Sequence, residues 1–495
     1  MVSQLVSTTL VGVEARFVRV EVDLATGLPG VHVVGLPDTA VGESIHRVRS
    51  ALRSVEKPLP PRRVTVNLAP GDLRKEGPRF DLAIALGVLG AGQHFPPESL
   101  EDSVVLGELS LDGGLRPVRG VLNTALAMRE KGLRRLLLPQ ENLAEVIWVE
   151  GLELWPAASL GQLLGWLRGE SRRPPVAVAR ALAPLKTDAP GRLDEVVGQP
   201  MGRLALEVAA AGGHHLLWVG PPGCGKTLLS RCLPELIPDL AEGEAVEVAA
   251  VRSALGQSGV PERAAPLAEP HCRISATALL GGQLPGEVSR AHRGVLFLDE
   301  VTEFARDSLE GLRTAMESGW VEVGRARQRW RYPARFQLVA ACNPCPCGFF
   351  GDPLRPCGCP LARRKAYLGK LSGPIRDRLD LQVLLARPGA RECWALPQGD
   401  SRLSRQRVAG ARLRQKERGC LNRDLSRAFF QETGEVDADG WDFLFDYATR
   451  NQLSARAMEK LLRVARTLAD LGDRPSVGDD ELGQAVHFRC LDRFE

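Results

Sequence analysis

The stretch "HHLLWVGPPGCGKTLLSRCLPELI", residues 214–237, decides the fold. It begins as a short apolar run, passes through a turn of glycine and proline, and continues with helical spacing. The turn comprises Gly220, Pro221, Pro222, Gly223, Cys224, Gly225, Lys226 and Thr227. It fits G-x-x-x-x-G-K-[ST] in the strand-to-helix context that a phosphate-binding loop needs. Glycines there let backbone N–H groups wrap phosphates, and the helix N-terminus adds its dipole. Lys226 is expected to reach the β- and γ-phosphates of ATP, and Thr227 to ligate Mg²⁺.

Three more buried runs follow: "RGVLFLDE" (293–300), "RFQLVAACN" (335–343) and "DLQVLLA" (380–386). Strands buried on both faces and separated by helices predict an α/β fold with a parallel sheet. Ligands of such sheets bind at the carboxyl ends of the strands. Asp299 is there the expected Mg²⁺ partner, and Glu300 the base that orients the attacking water. Asn343 closes the next run; such an asparagine often forms a turn, but its order after the other two elements makes it a candidate to touch the γ-phosphate.

Upstream, "FVRVEVDL" (17–24) and "RRVTVNL" (62–68) alternate by two, as half-buried strands do. "DTAVGESIHRVRSAL" (38–52) has helical spacing, and "GLRRLLLP" (132–139) reads as a short buried strand. Downstream, 402–418 and 455–472 are helical and strands disappear. These changes divide the chain into 1–170, a proline-rich basic linker 171–192, an ATPase core 193–395 and a helical domain 396–495. A length of 495 residues accommodates about three domains. The net charge of +4 means that any nucleic-acid contact must come from local patches. No signal-peptide pattern and no membrane-length apolar run is present, and eleven cysteines without an export signal point to a reducing, cytoplasmic setting.

Two further stretches carry chemistry. In "VGRARQRWRYPARF" (323–336), Arg325, Arg327, Arg329 and Arg331 recur with period two. In one strand all four would share a face and repel, which a phosphate backbone would offset. Trp330 would then anchor the strand or stack on a base. A solvated basic hairpin is the plainer reading. In "ACNPCPCGFFGDPLRPCGCP" (341–360), Cys345, Cys347, Cys357 and Cys359 form two C-x-C pairs able to hold a tetrahedral Zn²⁺. Buried thiols packing a tight loop, or disulfides, are the alternatives.

The segments "GLPGVHVVGLPDTAVGESIHRVRSAL", "VTVNLAPGDLRKEGPRFDLAIALGVL", "LDEVVGQ", "PGEVSRAHRGVLFLDE", "NPCPCG" and "SGPIRDRLDL" together resemble the ComM/YifB-type Mg-chelatase-like AAA+ ATPases along nearly the whole chain. The resemblance implies an N-terminal domain of the ribosomal S5 and Lon-protease fold, an AAA+ core and a helical C-terminal lid. It implies a hexameric DNA helicase that promotes branch migration in recombination and natural transformation. By position, 194–199 resembles the border of the adenine pocket, Gly220 to Thr227 the Walker A loop, Asp299 and Glu300 Walker B, and Asn343 sensor 1. Arg378 resembles an arginine finger given to the neighbouring subunit, and Arg456 sensor 2. The arginine-rich stretch lies where related motors carry a pore hairpin that touches DNA.

The departures also matter. Arg79 stands where Lon-type proteases have a serine, and Thr124 falls at the lysine position. Without nucleophile and base, no protease activity is expected, and the domain is expected to bind DNA or organise the ring. Cys224 replaces the usual Thr or Ala, which predicts that thiol alkylation blocks the nucleotide site unless ATP protects it. A chelatase-type ATPase that remodels a protein partner is the competing function. A scaffold with a dead ATPase is a third, disfavoured because every Walker and sensor residue is present.

Overall fold

The computed structural model describes residues 2–173, 176, 192–257, 259–325, 328–352, 354–389 and 400–493, and most of the expected linker lies outside them. The chain forms two compact units: residues 1–183, 242–262 and 283–285, and the remainder. Among the described residues, no helix is long and apolar enough to cross a membrane.

The strands of the first unit are β1 (Val2–Val11), β2 (Glu14–Ala25), β3 (Gly30–Val34), β4 (Arg63–Ala69), β5 (Ser103–Val105), β6 (Glu108–Leu109), β7 (Leu115–Arg116), β8 (Arg135–Pro139) and β9 (Glu153–Ala157). Seven of them form a mixed sheet in the order β3-β4-β2-β1-β5-β8-β9, and β6 and β7 make a separate ribbon. The alternation in β2 works as the pattern predicts, with Val18, Val20 and Val22 buried and Arg19 exposed. Against this face lies the helix Asp81–Ala91, apolar on nearly every side and almost wholly buried. Gly87 permits the approach, since a Cβ there would stand 2.5 Å from Val22 Cγ2. Asp81 caps the arrangement with a buried ion pair to Arg47 at 2.6 Å.

One helix of this unit comes from far along the chain. Glu242–Ala254, which follows the phosphate-loop helix in sequence, packs on the helix Val121–Lys131. Asn123 Nδ2 donates to Ala250 O (3.1 Å), and Ser253 Oγ donates to Glu145 Oε2 (2.6 Å). Burial pushes the Glu145 carboxyl up, and Ser253 and Asn142 oppose this by donating to it. Ala249 joins the apolar cluster of Val104, Val121 and Leu136. The run 193–395 is therefore divided between the two units.

The second unit contains β10 (Leu216–Val219), β11 (Leu267–Ala268), β12 (Val295–Leu298), β13 (Trp320–Arg325), β14 (Gln328–Pro333), β15 (Gln337–Cys342) and β16 (Leu381–Leu384). Five of these form the expected parallel sheet, in the order β11-β12-β15-β10-β16. Every residue of β10, β12 and β15 is buried, which is why these runs read as continuous rather than alternating. The helix Ala455–Leu471 buries Leu461, Val464, Ala465 and Leu468 in the same cluster as Ala205 and Leu206 of the helix Pro200–Gly212. Arg466 is buried there with its charge met by Glu435 (2.7 Å) and Asp470 (3.0 Å).

Candidate functional site

β10 ends at Val219 and the chain turns through 220–225 into the helix Lys226–Leu236. Gly223 and Gly225 hold φ of 79° and 95°, a region other residues enter only with strain. Gly220 is needed for space instead, because a Cβ there would meet Leu385 O at 2.7 Å and Cys224 Sγ at 2.8 Å. No side chain caps the helix N-terminus, which suits it to an anion. Gln199, in a left-handed conformation, donates to Cys224 O (3.1 Å) and Ala386 O (2.6 Å), tying the 194–199 segment to this loop.

Two strand ends, those of β12 and β15, meet the loop. Lys226 Nζ donates to Gly220 O (2.6 Å), Pro221 O (3.0 Å) and Asn343 Oδ1 (3.2 Å). Thr227 Oγ1 donates to Asp299 Oδ2 at 2.9 Å. The pair thus offers a hydroxyl and a carboxylate to one hard cation, a donor set that fits Mg²⁺. Glu300 is exposed and has φ 52°, with its N–H donated to Asp299 Oδ1 at 2.9 Å. Glu300 and Asn343 line one cleft with Arg363, Tyr367 and Lys370. These last three have no motif in the sequence; their helix, Leu361–Leu368, and the turn after it bring them here.

Arg378 and Arg456 stand together elsewhere. The Arg378 guanidinium donates to Pro374 O and pairs with Glu317. Partial burial, with Arg313 and Arg456 nearby, lowers its pKa. Arg456 lines a cleft with Gly373, Asp377 and Lys460. Among the described residues, neither hydrogen-bonds to Lys226, Thr227 or Asp299.

The arginine-rich stretch is a hairpin, not one strand. β13 and β14 pair antiparallel, with Glu322 opposite Arg331, Gly324 opposite Arg329 and Arg325 opposite Gln328. Of the two readings the hairpin holds and the single strand with one arginine face does not: Arg325 ends the first strand, and Arg329 and Arg331 lie on the second. Arg327 lies outside the described residues. Arg329 and Arg331 are exposed, while Trp330 and Tyr332 alternate with them and are buried. Trp330 is therefore an anchor and not a base-stacking platform. Arg331 instead lies 4.1 Å over the ring of Trp320 and 3.7 Å from Glu322.

After Asn343 the chain enters the cysteine loop. The sulfurs of Cys345, Cys347, Cys357 and Cys359 all lie within 4.8 Å of one another. Cys345 to Cys347 is 3.3 Å, Cys345 to Cys357 3.6 Å and Cys347 to Cys357 3.5 Å. Zinc–sulfur arms of about 2.3 Å put tetrahedral corners roughly 3.8 Å apart, so this donor set fits Zn²⁺. A hydrogen bond from the Phe349 backbone, helped by Cys345, brings the Cys347 thiol down to about 7. Cys342 is not of the group; it is buried in β15 and burial pushes its thiol up to about 12.

Cys224 is buried too, and burial raises its pKa. The expected sensitivity to alkylation does not follow from such a thiol, since the thiolate is the reactive form. In the first unit, Arg79 and Thr124 meet although 45 residues apart. Arg79 Nη2 donates to Thr8 Oγ1 (3.1 Å) and Thr124 Oγ1 (3.4 Å), and the two hydroxyls are 2.7 Å apart. Full burial brings this guanidinium down to about 10.

Comparison with known proteins adds to this geometry. Residues 192–392 match the family described as magnesium chelatase, subunit ChlI; 20–142 match subunit ChlI of Mg-chelatase; 398–489 match its C-terminal family. An uncharacterised protein of Mycobacterium tuberculosis H37Rv is 43% identical over 98% of this chain and 97% of its own. The protein YifB of Escherichia coli K12 is 40% identical over 98% and 96%. Competence protein ComM of Haemophilus influenzae is 37% identical over 99% and 97%. A shorter match, 34% over 84 residues, reaches a peroxisomal Lon protease homologue of Caenorhabditis elegans, with 17% of this chain and 11% of that one covered.

Proposed function

The chain belongs to the magnesium-chelatase-like AAA+ family that includes YifB and ComM, and from that premise we propose that it is an ATP-driven hexameric DNA motor. Its work would be branch migration in recombination and natural transformation, the setting that the name of the competence relative suggests. The observation that carries this reading is the division of the catalytic set. Lys226 bonds Asn343 and Thr227 bonds Asp299 at the phosphate-binding loop, whereas Arg378 pairs with Glu317 and Arg456 lines a different cleft.

In this reading Gly220 to Thr227 cradle the triphosphate. Thr227 and Asp299 hold Mg²⁺, which supplies charge neutralisation at the phosphates. Lys226 binds the β- and γ-phosphates, Asn343 senses the γ-phosphate, and Glu300 takes a proton from the attacking water. The short contacts from Lys226 to Asn343 and Thr227 to Asp299 support these roles. Arg378 completes the site of a neighbouring chain as an arginine finger, so hydrolysis requires assembly, and Arg456 acts as sensor 2. Arg325, Arg327, Arg329 and Arg331 contact the DNA backbone. The reading keeps a first domain 1–170, an ATPase core 193–395 whose residues 242–262 pack with the first unit, and a helical domain 396–495, in a cytoplasmic setting. The four cysteines bind a structural Zn²⁺; the fit of their spacing supports this.

ATPase stimulation by branched DNA tests the reading, with Arg329→Ala and Arg331→Ala as controls. Stimulation that both variants reduce is expected. Hydrolysis indifferent to DNA in an intact assembly favours instead the chelatase-type remodelling of a protein partner.

A further inference from the structure

The cysteine loop does not stand apart from the phosphate-binding loop. Gly348, one residue after Cys347, has φ 85° and brings its backbone against Pro222; a Cβ there would lie 3.0 Å from Pro222 Cδ and 3.2 Å from Cγ. Between the two cysteine pairs sits Asp352, whose carboxylate is fully buried. Its Oδ1 accepts from Leu354 N (2.8 Å), which fixes the turn. Its other oxygen, Oδ2, makes no hydrogen bond and faces Arg387 at 3.6 Å. A buried carboxylate needs a balancing charge, and Arg387 supplies it. The same guanidinium donates to Pro222 O at 2.9 Å. Arg387 thus joins the loop between the cysteine pairs to the backbone of the phosphate-binding loop.

We propose that the cysteine loop is a metal-tied clamp on the phosphate-binding loop, with Arg387 as its bridging, positioning residue, so that metal occupancy sets nucleotide affinity. This rests on the zinc reading of the four thiols. Packing of the thiols does not by itself hold the loop, since of the four cysteines only Cys345 is buried. Ordering some fifteen residues costs entropy that a metal crosslink offsets. Once released, Asp352 no longer holds Arg387, and Pro222 O loses a charge-assisted donor. Mg²⁺ and the triphosphate then meet a looser cradle.

The test measures zinc content and the dissociation constant for a fluorescent ATP analogue on the full chain. Four samples are compared: wild type, wild type stripped of metal by a chelator, Arg387→Ala, and Arg387→Ala stripped. The expected results are one zinc per chain in wild type and in Arg387→Ala, and affinity about tenfold weaker in the stripped wild type, the loss of one charge-assisted hydrogen bond. Arg387→Ala should show the same loss while retaining zinc, and stripping it should cost nothing more. Asp352→Asn should weaken binding with zinc kept, which separates the clamp from any direct contact of Arg387 with nucleotide. Zinc present with unchanged affinity in Arg387→Ala and Asp352→Asn overturns the clamp and leaves the metal site standing. Losses that add when both changes are made overturn it as well. Absence of stoichiometric zinc from the wild type overturns both readings.

Discussion

Lys226, Asn343, Thr227 and Asp299 were legible as site residues because their spacing between buried runs encodes a strand-to-helix turn and two strand ends. Their contacts, 3.2 Å for Lys226 to Asn343 and 2.9 Å for Thr227 to Asp299, follow from neighbouring parallel strands. Arg387 and Lys370 were not legible, since each reaches the site from a segment with no motif of its own, whereas Gln199 lies in the 194–199 segment that the resemblance already placed beside the nucleotide. Cys224 shows the converse: the residue was noted, but burial and not sequence decides its reactivity. Alkylation at neutral pH should therefore modify Cys224 slowly with or without ATP, read by mass spectrometry of the peptide; rapid, ATP-protected labelling would contradict the buried placement. Glu300→Gln should keep ATP binding and lower turnover by about a hundredfold or more, as loss of a general base does. Equal turnover in steady-state assays would remove Glu300 from that role.

At the scale of elements, the buried parallel strands were readable because their apolar runs have no polar alternation to confuse them. The stretch stayed open between one strand and a hairpin for a physical reason. "GRARQRW" has no Asn-Gly or Asp-Gly signal, so its period-two arginines fit one strand as well as a hairpin. The fold pairs β13 with β14 and uses Trp330 as the buried side. Trp330→Ala should destabilise the second unit by about 3–5 kcal/mol, measurable by denaturant unfolding. Arg331→Ala should leave stability unchanged and reduce the salt slope of DNA binding by about one. The helix Glu242–Ala254 was likewise invisible as a partner of the first unit, because helical spacing says which face is apolar and not what covers it. Ser253→Ala removes the donor to the buried Glu145 and should lower stability by about 1–3 kcal/mol.

At the scale of the whole molecule, the family and the α/β class were evident from ordered motifs spanning the chain, and full-length relatives agree. The assembly is the level that a single chain does not write in its own contacts. The proposed assembly rests on Arg378, which pairs with Glu317, and Arg456, which lines another cleft, away from the contacts of Lys226. The most direct measurement mixes two inactive chains, Glu300→Gln and Arg378→Ala, in equal amounts with branched DNA and follows ATP hydrolysis. If each site is completed by its neighbour, mixed rings pair an intact nucleotide pocket with an intact arginine, and activity should return to about a quarter of wild type. A mixture as inactive as its components, with co-assembly demonstrated, would contradict the shared site.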